Sequence, residues 1–402
     1  MSTPRFFPLV FLTVCMALAH PAESRAQIYA DVTVAGAVAG TFTISLEYEK
    51  TPAAVANFIG LATGRRGWLD RLSGAIRSDG FYDGVTFHRV IAGFMSQTGS
   101  RAGDGSDGPG YTFRNEIDAT LAHDSAYVVA MANGGKDTNG SQFYITAAAQ
   151  PGLDGRYTVF GRVVAGTEVC DAINATPTTG SLGLPVDRPL AAITITGVTL
   201  HGPSYAGFDL SQPALPMLVS AAPVLKKAGT SYALGYDHRP FSDYFAFHSG
   251  DAALWTKFPS AAYSSAAPAG GDLDVTSLAT GSQHFFRMGR GDYSTCANQF
   301  VPASVAGKTL SFPAIFGTTM TLNSAGTGGS YTYTGFSGGS GAVIEAAFVA
   351  KPYSGYLYVD WDIGVEISVD RLEYTSPAGG TFVARTNISG YRNVSGTFTS
   401  TP

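Results

Sequence analysis

The sequence predicts a mainly-β chain: a closed antiparallel barrel capped by helices, followed by a second β-rich region. Three observations carry this. Between residues 28 and 200, short runs of β-branched and aromatic residues recur, separated by Gly, Pro, Asn and Asp. Within that span only two stretches, near 51–63 and 167–175, show helical spacing. From 203 the composition shifts, and from 301 onward it is almost purely strand-forming. Many short strands with two helices fit a barrel closed on itself.

Arg5 and the apolar run 6–19, interrupted only by Pro8 and Thr13, open the chain. The run is shorter than the roughly 20 residues a spanning helix needs. Ser24 and Ala26 place small residues at −3 and −1 of a cut before Gln27, with 17–19 as a second site. Residues 1–26 therefore read as a secretory signal peptide rather than a membrane anchor. Val14 before Cys15 argues against a lipoprotein. No later segment is apolar enough to span, so the mature chain is expected to have no transmembrane segment.

The runs 31–35 and 41–47 form a hairpin through 36–40. Thr51 is placed to cap a helix with Pro52 at its first position, and Gly64 to end it. Val55, Phe58, Ile59 and Ala62 fall on one face of that helix. Strands follow at 86–89, 94–97, 128–131, 143–146 and 159–163, then a helix at 167–175. A closing strand at 192–200 alternates Ile193, Ile195 and Val198. This gives a helix-capped barrel domain at 27–201, a β-rich intermediate module at 202–300 with a small-residue linker at 261–271, and a C-terminal β module at 301–402. The last reads as a sandwich or small barrel.

Of 402 residues, 25 are basic and 30 acidic, a net charge of −5. That balance argues against nucleic-acid partners, which need a basic face. Charged residues are 14% of the chain, against about 25% in an average soluble protein. The low charge and high Gly, Ser, Thr and Tyr content suit an extracytoplasmic protein, so a periplasmic, cell-surface or secreted location is expected. Cys15 leaves with the signal, and Cys170 and Cys296 are too few for a disulfide framework. They read as small buried hydrophobes. The seven histidines are scattered without metal-ligand spacing, and no metal or cofactor is expected.

Three blocks hold the chemistry: 87–97 (FHRVIAGFMSQ), 131–145 (MANGGKDTNGSQFYI) and 153–161 (LDGRYTVFG). In this order and spacing they resemble the cyclophilin-type peptidyl-prolyl cis/trans isomerases. The segments 81–84 and 111–116 resemble bacterial members. The resemblance covers about residues 28–200. It implies an eight-stranded closed antiparallel barrel with two capping helices, and proline-containing polypeptides as clients. The reaction requires little apparatus. Peptide rotation is opposed by ~18–20 kcal/mol of amide resonance. A catalyst must bind the twisted X–Pro amide better than either planar form. A fixed cation and an apolar slot for the ring suffice.

The resemblance assigns catalysis to Arg89, whose guanidinium is always charged and offers a fork of donors. It assigns the proline pocket to Phe94, Met95, Tyr144 and Leu153. Gln97 and Asn133 match positions that hold the arginine or the substrate backbone, and Ala132 and Gln142 match substrate-lining positions. Tyr157 stands where many eukaryotic members have His. Tyr144 replaces the usual Phe, and its hydroxyl must find a partner. Gly152 stands where cyclosporin-sensitive members carry Trp. By alternation His88 faces away from Arg89 and is structural.

The arginine-rich segment 65–80, with Trp68, exceeds what a compact member needs. It reads as a solvated loop, or as a patch that attracts acidic clients. Asp360, Asp362 and Glu366 are carboxylates scattered over both faces of β segments. The expected function is isomerisation of prolyl bonds in exported proteins. The alternative is an exported proline-recognising or adhesion protein in which catalysis is incidental.

Overall fold

A computed structural model describes residues 27–183, 187–212, 214–236, 239–258, 272–278, 284–299, 301–302, 304–315, 317–333, 339–361, 366–386 and 392–402. The signal peptide, the 261–271 linker and Asp362 lie outside the described residues.

The first unit contains Ile28–Gly36 (β1), Gly40–Leu46 (β2), Pro52–Ala62 (α1), Trp68–Asp70 (β3) and Ala75–Arg77 (β4). Arg89–Ile91 (β5), Met95–Thr98 (β6), Val128–Met131 (β7), Phe143–Thr146 (β8), Val159–Ala165 (β9), Thr167–Asn174 (α2) and Ile193–His201 (β10) follow. Eight strands form one antiparallel sheet in the order β10-β1-β2-β9-β7-β8-β6-β5. The sheet curls into a half-barrel whose edge strands β5 and β10 form no ladder with each other. The 84–87 segment joins β10, where Phe87 N–H donates to the Ile193 carbonyl (2.9 Å) and Ile195 N–H donates to that of Val85 (2.8 Å). Closure therefore rests on a short backbone bridge rather than a full ladder.

Alternation decides what fills the barrel. Ile28, Ala30, Val32 and Val34 of β1 point inward with Phe42 and Ile44 of β2, Phe143 and Ile145 of β8, and Phe160 of β9. Two departures from the sequence reading concern α1. It is buried from Ala53 to Ala62, all round rather than on one face. The Thr51 hydroxyl does not cap it and bonds the Glu47 carbonyl instead (3.2 Å). The Glu116 carboxylate takes over, accepting from Ala53 N–H (3.0 Å) and Ala54 N–H (2.8 Å). A helix N-terminus presents unpaired N–H groups, and a carboxylate from a distant loop satisfies them as well as a local cap does. Gly64, at φ +69°, ends the helix as expected.

The last part of the chain closes as a second eight-stranded barrel, from Thr309–Phe312 to Arg392–Thr401, with Leu310 paired to Ser400 across the seam. Leu310, Phe312, Met320, Leu357, Val369 and Leu372 pack its interior, so it is a filled core. Between the barrels, Met217–Ala221, Phe285–Asp292, Ser242–Ser249 and Thr256–Lys257 form a four-stranded sheet in that spatial order. Val224–Ala228, Ser231–Gly235 and Leu273–Asp274 form a three-stranded one.

The 65–80 segment is not the solvated loop expected. Its hairpin, β3 paired to β4, is where the middle sheet docks. Trp68 is buried in the first core. Leu69 packs with Phe245 and Phe247, against Ile76, Leu218 and Trp255. Arg287 donates to the Ser73 carbonyl (2.5 Å), and Arg66 donates to Tyr111 Oη (2.6 Å) and the Pro216 carbonyl. Farther along, Arg371 of the second barrel ion-pairs with the buried Asp137. Tyr353 Oη–H donates to the Thr112 carbonyl (3.1 Å). Among the described residues Cys170 and Cys296 form no disulfide, and Cys296 is only partly buried, not the buried hydrophobe expected. Cys170 belongs to the first core, and burial pushes it up to about 12. Among the described residues no helix is long and apolar enough to cross a membrane, and no three His, Cys, Asp or Glu side chains cluster as metal ligands.

Candidate active site

The ladders bring three of the predicted residues, Arg89, Gln97 and Tyr144, into one row. Arg89 of β5 faces Gln97 of β6, Gln97 faces Tyr144 of β8, and Tyr144 faces Ala130 of β7. Residues directly opposite in a ladder share a face. Arg89, Gln97, Tyr144 and Ala130 thus stand on the outer surface of the barrel. Their neighbours Val90, Phe143, Ile145, Val129 and Met131 point into the core.

On that outer face lies a separate apolar cluster. Met95, Val128, Ala130, Tyr144 and Val159 are buried in it. Phe94, Ala132, Leu153 and Tyr157 lie half-buried over them. The six apolar and aromatic residues predicted for the substrate pocket or its lining therefore meet in one patch, from four separate stretches of chain. Phe94 sits in the β5–β6 turn, where its N–H donates to the Ile91 carbonyl (3.0 Å). Leu153 ends a single 3₁₀ turn, Pro151–Leu153. Tyr157 packs edge-on against Tyr144 at 5.8 Å between ring centroids.

The polar residues rim this patch. Gln97 Nε2–H donates to Gln142 Oε1 (2.9 Å). Gln142 in turn donates to the carbonyls of Gly105 (2.9 Å) and Asp107 (2.7 Å). This fixes both amides and the 100–109 loop relative to β6. Ala132 N–H donates to the Gln142 carbonyl (2.9 Å). Asn133 Nδ2 reaches Asn139 Oδ1 and the Arg156 carbonyl only at 3.4 Å, a loose hold on that nitrogen, while its Oδ1 accepts from Gly135 N–H (3.2 Å). Arg89 is half-buried, and among the described residues its guanidinium has no hydrogen-bond or ion-pair partner. His88 is buried, away from Arg89, as alternation required.

The hydroxyl of Tyr144 has its partner in His123, a fully buried residue that sequence spacing did not single out. His123 Nε2 lies 2.8 Å from Tyr144 Oη, and Nδ1 lies 2.8 Å from Asp154 Oδ1. A carboxylate can only accept, so Nδ1 carries a proton; in the neutral imidazole Nε2 then accepts and Tyr144 donates. His123 N–H donates to the same carboxylate (2.8 Å). That backbone bond, followed by the ring bond, holds the Asp154 carboxyl below the usual range. Burial pushes the Tyr144 phenol well above its ordinary value, so it stays a neutral hydroxyl. Asp154 directly follows Leu153, so the chain Tyr144–His123–Asp154 ties the floor of the pocket to its rim. Gly152 is exposed, with no atom within 4 Å of where a Cβ would stand.

The curated relatives correspond to this first unit. The chain is 44% identical over 164 residues to peptidyl-prolyl cis-trans isomerase B of Streptomyces anulatus, covering 91% of that protein and 40% of this one. The chain belongs to the cyclophilin-type peptidyl-prolyl cis-trans isomerases. The family model described as cyclophilin type peptidyl-prolyl cis-trans isomerase matches residues 29–200. Peptidyl-prolyl cis-trans isomerase A of Mycobacterium tuberculosis is 42% identical over 163 residues, 87% of its length and 40% of this chain. A solved cyclophilin type peptidyl-prolyl cis-trans isomerase from Cryptosporidium parvum is 27% identical, with 98% of that chain and 44% of this one covered at a TM-score of 0.37. As a cyclophilin-type protein it is an enzyme, an isomerase, and its family match ends at residue 200, at the close of β10.

Proposed function

We propose that residues 27–201 catalyse rotation about X–Pro bonds in exported polypeptides, with Arg89 as the transition-state donor. One observation carries this reading: an unpaired, half-buried guanidinium in the same cross-strand row as Gln97 and Tyr144, beside the apolar patch of Phe94, Met95, Leu153 and Tyr157. A half-buried arginine normally finds a carboxylate, and leaving it unpaired is costly unless a substrate completes the set. Twisting the amide localises a lone pair on the prolyl nitrogen, and the guanidinium donates to it. Planar cis and trans forms offer no such acceptor, so the interaction is gained only in the transition state. The ring rests on the apolar patch while the Gln97–Gln142 pair and the loosely held Asn133 offer donors to the flanking backbone.

Export rests on the signal-like residues 1–26, with release before Gln27. The test is expression of the whole precursor in a bacterial host with fractionation. The expected result is a mature chain beginning at Gln27 outside the cytoplasm that speeds cis/trans exchange of an Ala-Pro peptide by NMR. A cytoplasmic, unprocessed chain refutes export, and unchanged exchange refutes the enzymatic reading.

A further inference from the structure

The middle sheet does more than dock. Between it and the isomerase barrel runs a cleft of about 590 Å³, within the range of ligand sites. On the barrel side it is lined by Gln97, Ala132, Asn133 and Gln142, the rim of the candidate active site. On the other side stand Asp243, Phe245 and Lys257. Their facing follows from strand geometry. Asp243, Phe245 and Phe247 alternate onto one face of Ser242–Ser249, Phe247 packs on the hairpin of the barrel, and Lys257 pairs directly opposite Phe247. The cleft therefore opens onto the polar rim of the apolar patch.

The charges along the cleft are unbalanced in what they leave free. Asp107 is committed, accepting from Ser100 Oγ–H (2.5 Å) and Ala102 N–H (3.0 Å). Asp243 accepts from Gly291 N–H (3.1 Å), and its burial raises its affinity for a proton. Arg71, from the β3–β4 hairpin, donates only to the Ser106 carbonyl (3.3 Å). Lys257 has no hydrogen bond or ion pair among the described residues. Two cations, one from each wall, thus make no salt bridge, although Lys257 feels the charge of the buried Asp243 across the sheet.

We infer that this cleft is a client-selecting subsite, built jointly by the hairpin and the middle sheet, which favours acidic residues flanking the proline. It rests on the isomerase reading above and adds to it a substrate class: prolyl segments bearing Asp or Glu. Selectivity of this kind comes from carboxylates gained by Arg71 and Lys257 and from like-charge repulsion of basic flanks.

The test uses the full mature chain and three otherwise identical Ala-Pro peptides flanked by Glu, Gln or Lys, followed by NMR exchange. The expected kcat/KM for the Glu peptide exceeds that for Gln by roughly three- to tenfold at low salt, the size two partly exposed ion pairs supply. The Lys peptide falls below Gln, and high salt compresses the series. The double variant Arg71→Glu/Lys257→Glu inverts the Glu-to-Lys order. If that variant does not fold, Lys257→Gln alone must shrink the preference. Equal turnover of all three peptides by the wild type overturns the inference and leaves the isomerase reading standing. No turnover of any peptide overturns the isomerase reading and the inference with it.

Discussion

Replacing His123 by Leu removes the acceptor of a buried phenol and one anchor of the Asp154 loop. Tyr144 is 4% exposed and His123 is fully buried, so no water replaces the lost bond. An orphaned buried hydroxyl costs about 1–3 kcal/mol. Tyr144→Phe orphans His123 Nε2 instead, at a similar cost. Removing both partners together takes away the demand along with the supply, and such paired removals can be nearly neutral. The double variant is therefore expected to lose less than the sum of the single losses, with a coupling of about 1–2 kcal/mol. In a unit of this size 1 kcal/mol moves the melting temperature by roughly 2–4 °C. Each single variant should melt several degrees lower in the transition of the first barrel, with the double variant close to the milder single. Strict additivity of the two losses would refute the claim that these side chains satisfy each other.

Three other outcomes follow from the same geometry. Asp154 has a lowered carboxyl pKa, so its contribution to stability is present above its ordinary value near 3.8 and is lost as pH falls through the lower folded-state value; Asp154→Asn should flatten acid denaturation of the first barrel in that window, followed by circular dichroism. Gly152→Trp should fold within about 0.5 kcal/mol of wild type, because the position is open, and should tighten cyclosporin binding about tenfold or more, read by titration calorimetry. Arg371→Ala strands the buried Asp137 without its cation and should cost about 3–5 kcal/mol at the contact between the barrels, read as faster hydrogen exchange in 133–139 and 366–376.

Much of the first barrel was legible because its strands carry the period-2 signal and its turns carry glycine. The row Arg89–Gln97–Tyr144 was readable from two of the motifs, 87–97 and 131–145, although their adjacency depends on the β5–β6–β8 ladder. What escaped were partners from distant chain segments. Nothing in the local pattern around Glu116 marks it as the cap of a helix more than 60 residues upstream. His123 reads as one more scattered histidine until the fold sets it between Tyr144 and Asp154. The 65–80 hairpin resembles a solvated loop because Leu69 and Ile76 meet their partners Phe245, Phe247 and Leu218 only across the fold, while Trp68 turns into the first core against Phe81. In the last barrel the sequence predicted strands without deciding between sandwich and barrel, since closure rests on the pairing of Leu310 with Ser400.

The central claim is that Arg89 stabilises the twisted prolyl amide, and replacing it measures this most directly. Arg89→Ala in the full mature chain, assayed by NMR exchange on an Ala-Pro peptide, should lower kcat/KM by about 10²–10³, the loss typical of one transition-state donor. Arg89→Lys should recover only part, because an ammonium cannot reproduce the planar fork. The melting temperature should stay near that of wild type, since the side chain makes no ion pair or hydrogen bond among the described residues. A folded Arg89→Ala protein with undiminished exchange activity would contradict the account.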